Sequence, residues 1–131
     1  MREILFRGKR LDNGDWVYGY YVHIGPVSCQ RAYIIPEYAS SLYVNEVDPS
    51  TVGQYTGLKD KNGKRIFDGD IAKVLQGKDK DIAYVGFENG AFMLYPRTGN
   101  IYERTLWSYW YNDWDVEVIG NITDNPELLE K

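Results

Sequence analysis

The stretch that decides the fold is Val52-Gly53-Gln54-Tyr55-Thr56-Gly57-Leu58-Lys59-Asp60-Lys61-Asn62-Gly63-Lys64-Arg65-Ile66-Phe67-Asp68-Gly69-Asp70-Ile71-Ala72-Lys73-Val74. Asn62-Gly63 is a hairpin signal, because these residue types tolerate the positive φ that tight turns demand. Residues 54–59 and 64–67 therefore pair across Asp60-Lys61-Asn62-Gly63. Asp68-Gly69-Asp70 bends the chain, and from there Ile71, Lys73 and Leu75 alternate with Ala72 and Val74, the period of a strand. The stretch specifies backbone geometry more than chemistry.

Outward from it, the same pattern repeats. Toward the C-terminus, residues 77–80 form a polar loop, and residues 82–87 and 92–95 form a hairpin about Glu88-Asn89-Gly90. A turn over 96–100 leads into a strand over 101–107, and Val116, Val118 and Ile119 supply the last strand. Pro126 stands at the first helical position after Thr123-Asp124-Asn125, with Glu127 in the first turn, which predicts a turn or two of helix held by Leu128 and Leu129. Toward the N-terminus, residues 2–10 and 15–23 flank Leu11-Asp12-Asn13-Gly14, which reads as a type I′ turn with both central residues at positive φ. In the second arm Trp16, Tyr18, Tyr20 and Val22 face one way, and Val17, Gly19 and Tyr21 the other. Such a strand is either covered on both sides, or covered on one and used on the other. Residues 25–49 are punctuated by Pro26, Pro36 and Pro49, leaving short β pieces at 32–35 and 42–47 and a helical turn around 36–42.

The expected fold is mainly β: a small SH3-like barrel or sandwich of short antiparallel strands, with an N-terminal hairpin extension and a short C-terminal helix. A chain of 131 residues fits one domain, here 1–131, with a hairpin and irregular region over 1–51 and the barrel-like region over 52–131. Hydrophobic residues at 44% and charged ones at 26% are a globular balance. The aromatic share of 15% is high and suits pleated surfaces with one wet face. One Cys and one His exclude an internal disulfide and a zinc site of the usual kind. With neither a leader pattern nor an apolar run of spanning length, the expectation is a cytoplasmic protein with no membrane partner. A net charge of -4 argues against indiscriminate nucleic-acid binding.

Three blocks carry a family resemblance. They are Arg2-Glu3-Ile4-Leu5-Phe6-Arg7, the central Gly53–Lys64 run with Asp68-Gly69-Asp70-Ile71, and Val118-Ile119-Gly120-Asn121-Ile122 with Asn125-Pro126-Glu127-Leu128-Leu129. In that order they resemble the YopX family, small proteins of phages and prophages in Gram-positive bacteria. The resemblance implies a phage-encoded, mainly β protein of the host cytoplasm, often thought of as an oligomer. It brings no established activity and no catalytic residues.

Candidate chemistry is sparse. Asp68 and Asp70 share a face of an extended chain and, with Glu88, could hold Mg²⁺ or Ca²⁺; the simpler reading is a turn capped by Asp side chains with Gly69 at positive φ. His23 and Cys29 lack the orienting group and oxyanion site that a nucleophile needs. No catalytic, cofactor-binding or metal residue is assigned, and the chain is expected not to be an enzyme. The richest stretch is Trp107-Ser108-Tyr109-Trp110-Tyr111-Asn112-Asp113-Trp114. Read as a strand, it puts Trp107, Tyr109 and Tyr111 on one face and Trp110 and Trp114 on the other; the simpler reading is that the rings fill the core and a subunit contact, the sharper one an interface or ligand platform. Arg2, Arg7, Lys9 and Arg10 form an electrostatic patch at the other end, opposed by seven carboxylates over 101–131. The sequence thus predicts an accessory protein that binds as a homo-oligomer, with an unidentified phage or host protein as another partner. The alternative is a single-stranded nucleic-acid module that stacks bases on Tyr and Trp, and a divalent-metal hydrolase ranks below both.

Overall fold

The computed structural model describes residues 3–26, 30–37, 44–112 and 114–130, with backbone only for Trp110 and Tyr111. The chain divides into two compact units, Met1–Tyr55 and Thr56–Lys131. Strand β5 (Gly53–Lys59) carries the chain from one to the other.

The first unit is an antiparallel sheet of β1 (Phe6–Lys9), β2 (Trp16–Ile24), β3 (Arg31–Pro36), β4 (Asn45–Val47) and the start of β5, with hydrogen-bonded order β4-β3-β2-β1-β5. A 3-10 turn, Pro49–Thr51, leads into β5; Asp48 caps it by accepting from the Ser50 N–H at 3.0 Å. The period-2 alternation of β2 is realised. Val17 is buried with Ala32, Ile34 and Val47, and Phe6, Tyr21 and Val52 pack around them. Gly19 sits where β2 and β3 approach so closely that a Cβ would lie 1.9 Å from the Ile35 carbonyl oxygen. Only glycine fits there.

The second unit holds the rest of β5 paired with β6 (Arg65–Phe67), and a five-stranded antiparallel sheet. Its strands are β7 (Asp70–Gln76), β8 (Asp79–Glu88), β9 (Ala91–Pro96), β10 (Arg104–Thr105) and β11 (Asp115–Asn121), in the order β10-β9-β8-β7-β11. Alternate residues of β7 and β8, Ala72 and Val74 with Ala83 and Val85, join Ile66, Leu94, Ile101, Leu106, Tyr109 and Val116 in one core. The chain closes with a single 3-10 turn, Pro126–Leu129, whose leucines are half-buried.

Three expectations are corrected. The sheets are open, each strand order having two ends, so a closed barrel does not form. Of the two hairpin loops at Asn13-Gly14 and Asn62-Gly63, each has positive φ only at its glycine, so neither is a type I′ turn; Asn89 (φ 53) and Gly90 (φ 81) alone among the three pairs have both. In the first loop the Asn13 side chain accepts from the Asp15 N–H, and in the second the Asp60 side chain accepts from the Asn62 and Lys64 N–H groups. These side chains compete with the backbone for the turn and select another geometry. Finally, the strand read over 101–107 is reduced to Arg104–Thr105, and the aromatic stretch begins as a helix, α1 (Leu106–Tyr111). The Thr105 hydroxyl accepts from the Ser108 N–H at 3.3 Å, an N-cap contact. Leu106 and Tyr109, both buried, are three residues apart, which one helix face satisfies and one strand face does not. The helical turn read around 36–42 lies largely outside the described residues.

Candidate functional site

In the first unit, β2 buries one face and leaves the other open. On the open face Tyr18 (39% exposed), Tyr20 (53%), Val22 (37%) and Ile24 (56%) follow one another at every second position. Cross-strand neighbours share a face, so Ile35 and Tyr33 on β3 extend this surface opposite Tyr20 and Val22. On the β1 side Arg7 pairs with Tyr18 and Lys9 with Trp16. The Arg7 guanidinium carbon lies 4.8 Å from the Trp16 ring centre and the Lys9 ammonium 5.7 Å from it, both in cation–π range. The result is a row of rings and branched aliphatics with cationic groups along one margin.

The electrostatic patch read at the N-terminus divides on folding. Arg7 is buried at 5% exposure, and Lys9 turns toward Trp16. Arg10 grips Asp12 through two contacts, Nε to Oδ1 at 3.0 Å and Nη2 to Oδ2 at 2.6 Å, and this holds the Asp12 carboxyl below the usual carboxylate range. Arg2 lies outside the described residues.

The aromatic platform read at the other end divides too. Tyr109 is fully buried in the second core, and Trp114 packs edge-on against it at 5.0 Å with the Arg104 guanidinium 5.5 Å above the indole. Burial raises the Tyr109 hydroxyl pKa. Trp107 is exposed at 55%. The side chains of Trp110 and Tyr111 lie outside the described residues. Thus, of the three rings whose side chains are described, Tyr109 and Trp114 are structural.

Asp70 has the turn role. Its carboxylate accepts from the Phe67 N–H at 2.8 Å, while Gly69 takes φ 92. Among the described residues no three His, Cys, Asp or Glu side chains gather as metal ligands would. His23 is exposed at the end of β2, and Cys29 lies outside the described residues.

Two buried carboxylates escaped the sequence reading. Asp60 accepts from the Asn62 and Lys64 N–H groups at 2.9 Å and from the Val118 N–H at 3.0 Å, so it ties the second hairpin loop to β11. Asp81 accepts from the N–H groups of Ile82, Thr98 and Asn100 and from the Thr98 hydroxyl, fastening the loop after β9 to the start of β8. Burial pushes both carboxyls up, and these donors more than offset it, leaving both below the ordinary range. The signal for Asp81 was present: it stands in register with Ala83 and Val85, a charge at a core-facing position.

The described residues thus form a mainly β protein with an aromatic sheet face and carboxylates that hold its own backbone. The sequence profile of the YopX protein family matches residues 5–130, and the chain belongs to that family. Two solved structures resemble it along their length. Protein yopX from Bacillus subtilis superposes with a TM-score of 0.59 at 21% identity, covering 100% of this chain and 98% of that one. Protein EF1440 from Enterococcus faecalis gives a TM-score of 0.56 at 23% identity, covering 99% of this chain and 100% of that one. Both speak for the fold. Among curated proteins, none matches the sequence.

Proposed function

We propose that this chain is a phage accessory protein of the host cytoplasm that works by binding rather than catalysis, as a homo-oligomer joined through the open face of β2. The observation that carries the reading is the run Tyr18, Tyr20, Val22 and Ile24, four apolar or aromatic side chains in consecutive outward positions of an interior strand. Isolated exposed apolar residues are ordinary, whereas a contiguous row is a contact surface. Tyr and Trp favour such surfaces because each buries a large area at little entropic cost. An SH3-like path for residues 52–131 belongs to the same reading, supported by its short antiparallel strands and tight turns.

The test is light scattering on the purified chain at micromolar concentration, where one copy weighs 15.2 kDa. The wild type is expected to exceed that mass and Tyr20→Asp to return to it with an unchanged far-UV spectrum. A monomeric wild type, or an unchanged mass in the variant, sinks the proposal, and a phage or host protein becomes the occupant to seek.

A second reading, single-stranded nucleic acid stacked on Tyr18 and Tyr20, has one observation in its favour: Arg7 and Lys9 lie beside the rings. The burial of Arg7 and the Arg10–Asp12 pair weigh against it, since phosphates need reachable charge. It predicts tryptophan quenching by an oligonucleotide that fades steeply with salt.

A further inference from the structure

We propose that the cleft beside Asp81, in the second unit, binds a small molecule bearing a phosphate group. Lys73 of β7, Lys80 and Ile82 of β8, and Arg97, Thr98 and Asn100 of the loop after β9 line a half-open space of about 300 Å³. That volume is at the small end of ligand sites and exceeds what a bare ion needs.

Charge decides the ligand class. Lys73, Lys80 and Arg97 line the cleft with Asp81, the one carboxylate among its described lining residues, in a chain whose net charge is -4. Both oxygens of Asp81 are occupied by backbone N–H groups and the Thr98 hydroxyl, so its lone pairs serve its own loop. Arg97 Nη1 donates to the carbonyls of Leu128 and Glu130, each at 3.1 Å. Those contacts fix the guanidinium in place, and carbonyls neutralise none of its charge. Glu117, opposite Lys73 on β11, is drawn to Lys61 at 3.8 Å and Asn62 at 3.4 Å. Among the described residues no carboxylate lies within ion-pair distance of the Lys73 or Lys80 ammonium.

Three cations from three segments around a concave space suit a multiply charged oxyanion better than a lone carboxylate, which one Arg commonly satisfies. The Asn100 amide, which donates to the Lys80 carbonyl at 3.4 Å, is a neutral donor at the same rim. Ile82 and the lysine stems supply apolar wall for the remainder of the molecule.

Titration calorimetry of the full chain tests this with inorganic phosphate and with a nucleoside 5′-monophosphate, each against chloride at matched ionic strength. At least one is expected to bind saturably, and Lys73→Ala/Lys80→Ala to weaken it at least tenfold while retaining the wild-type circular dichroism. Should the double variant fail to fold, Lys80→Glu alone serves the same purpose. Equal binding of both probes shows that the phosphate group suffices; tighter binding of the nucleotide shows that the apolar wall contributes. No saturable heat beyond the chloride control, or unchanged affinity in the folded variant, overturns the site.

Discussion

Tyr20 in the first unit and Tyr109 in the second put one residue type to opposite uses. In the first, Tyr18 and Tyr20 stand on an open sheet face over a small core of Val17, Ala32, Ile34 and Val47. In the second, Tyr109 is buried whole and Trp114 braces it, while Asp60 and Asp81 pin loops to strands. The difference separates two uses of one residue type. A ring that three elements surround is structure, and a ring on one bare face is available for contact.

Changes to the second unit should be the most costly. Tyr109→Ala removes a fully buried ring and is expected to cost about 4 kcal/mol, read by urea unfolding. Tyr109→Phe should cost less than about 1 kcal/mol, because the hydroxyl reaches the Tyr102 carbonyl only at 3.4 Å. Equal losses in the two variants would mean that the hydroxyl, not the ring, does the holding.

Next comes Asp60. Asp60→Ala strands the N–H groups of Asn62, Lys64 and Val118 and should cost about 3 kcal/mol. The pH dependence has a definite sign. The folded pKa of Asp60 lies below its unfolded value, so its contribution is present above the unfolded pKa of about 3.9 and is lost as pH falls through the lower folded value. Thermal melts from neutral pH into acid should therefore show a falling limb that Asp60→Asn flattens. An identical limb in the variant would move the acid sensitivity to Asp81, which has the same sign.

The smallest effect belongs to the first unit. Tyr20→Ser, half-exposed on β2, should change the stability of the single copy by no more than about 0.5 kcal/mol in dilute solution. A loss of several kcal/mol there would erase the contrast, making Tyr20 a structural ring like Tyr109.

The strand and turn pattern was legible because a period of two survives in single residues: burial alternates over residues 16–22 of β2 and 80–86 of β8. Local competition was harder to read. Asn13-Gly14 and Asn62-Gly63 look like Asn89-Gly90 in sequence, yet side-chain acceptors at Asn13 and Asp60 diverted the first two. The 107–114 stretch misled for a related reason. Alternation and helical spacing coincide over so few residues, and the Thr105 cap with the burial of Leu106 and Tyr109 chose the helix.

By itself, the sequence determined that this chain is mainly β, that its strands are short and antiparallel, and which family it resembles. Those properties rest on alternation and on turn residues, interactions between near neighbours. Only the tertiary structure decided which rings are buried, that the sheets stay open, and that Lys73, Lys80 and Arg97 meet around Asp81. Burial and convergence depend on segments far apart in the chain, whose approach no local pattern encodes.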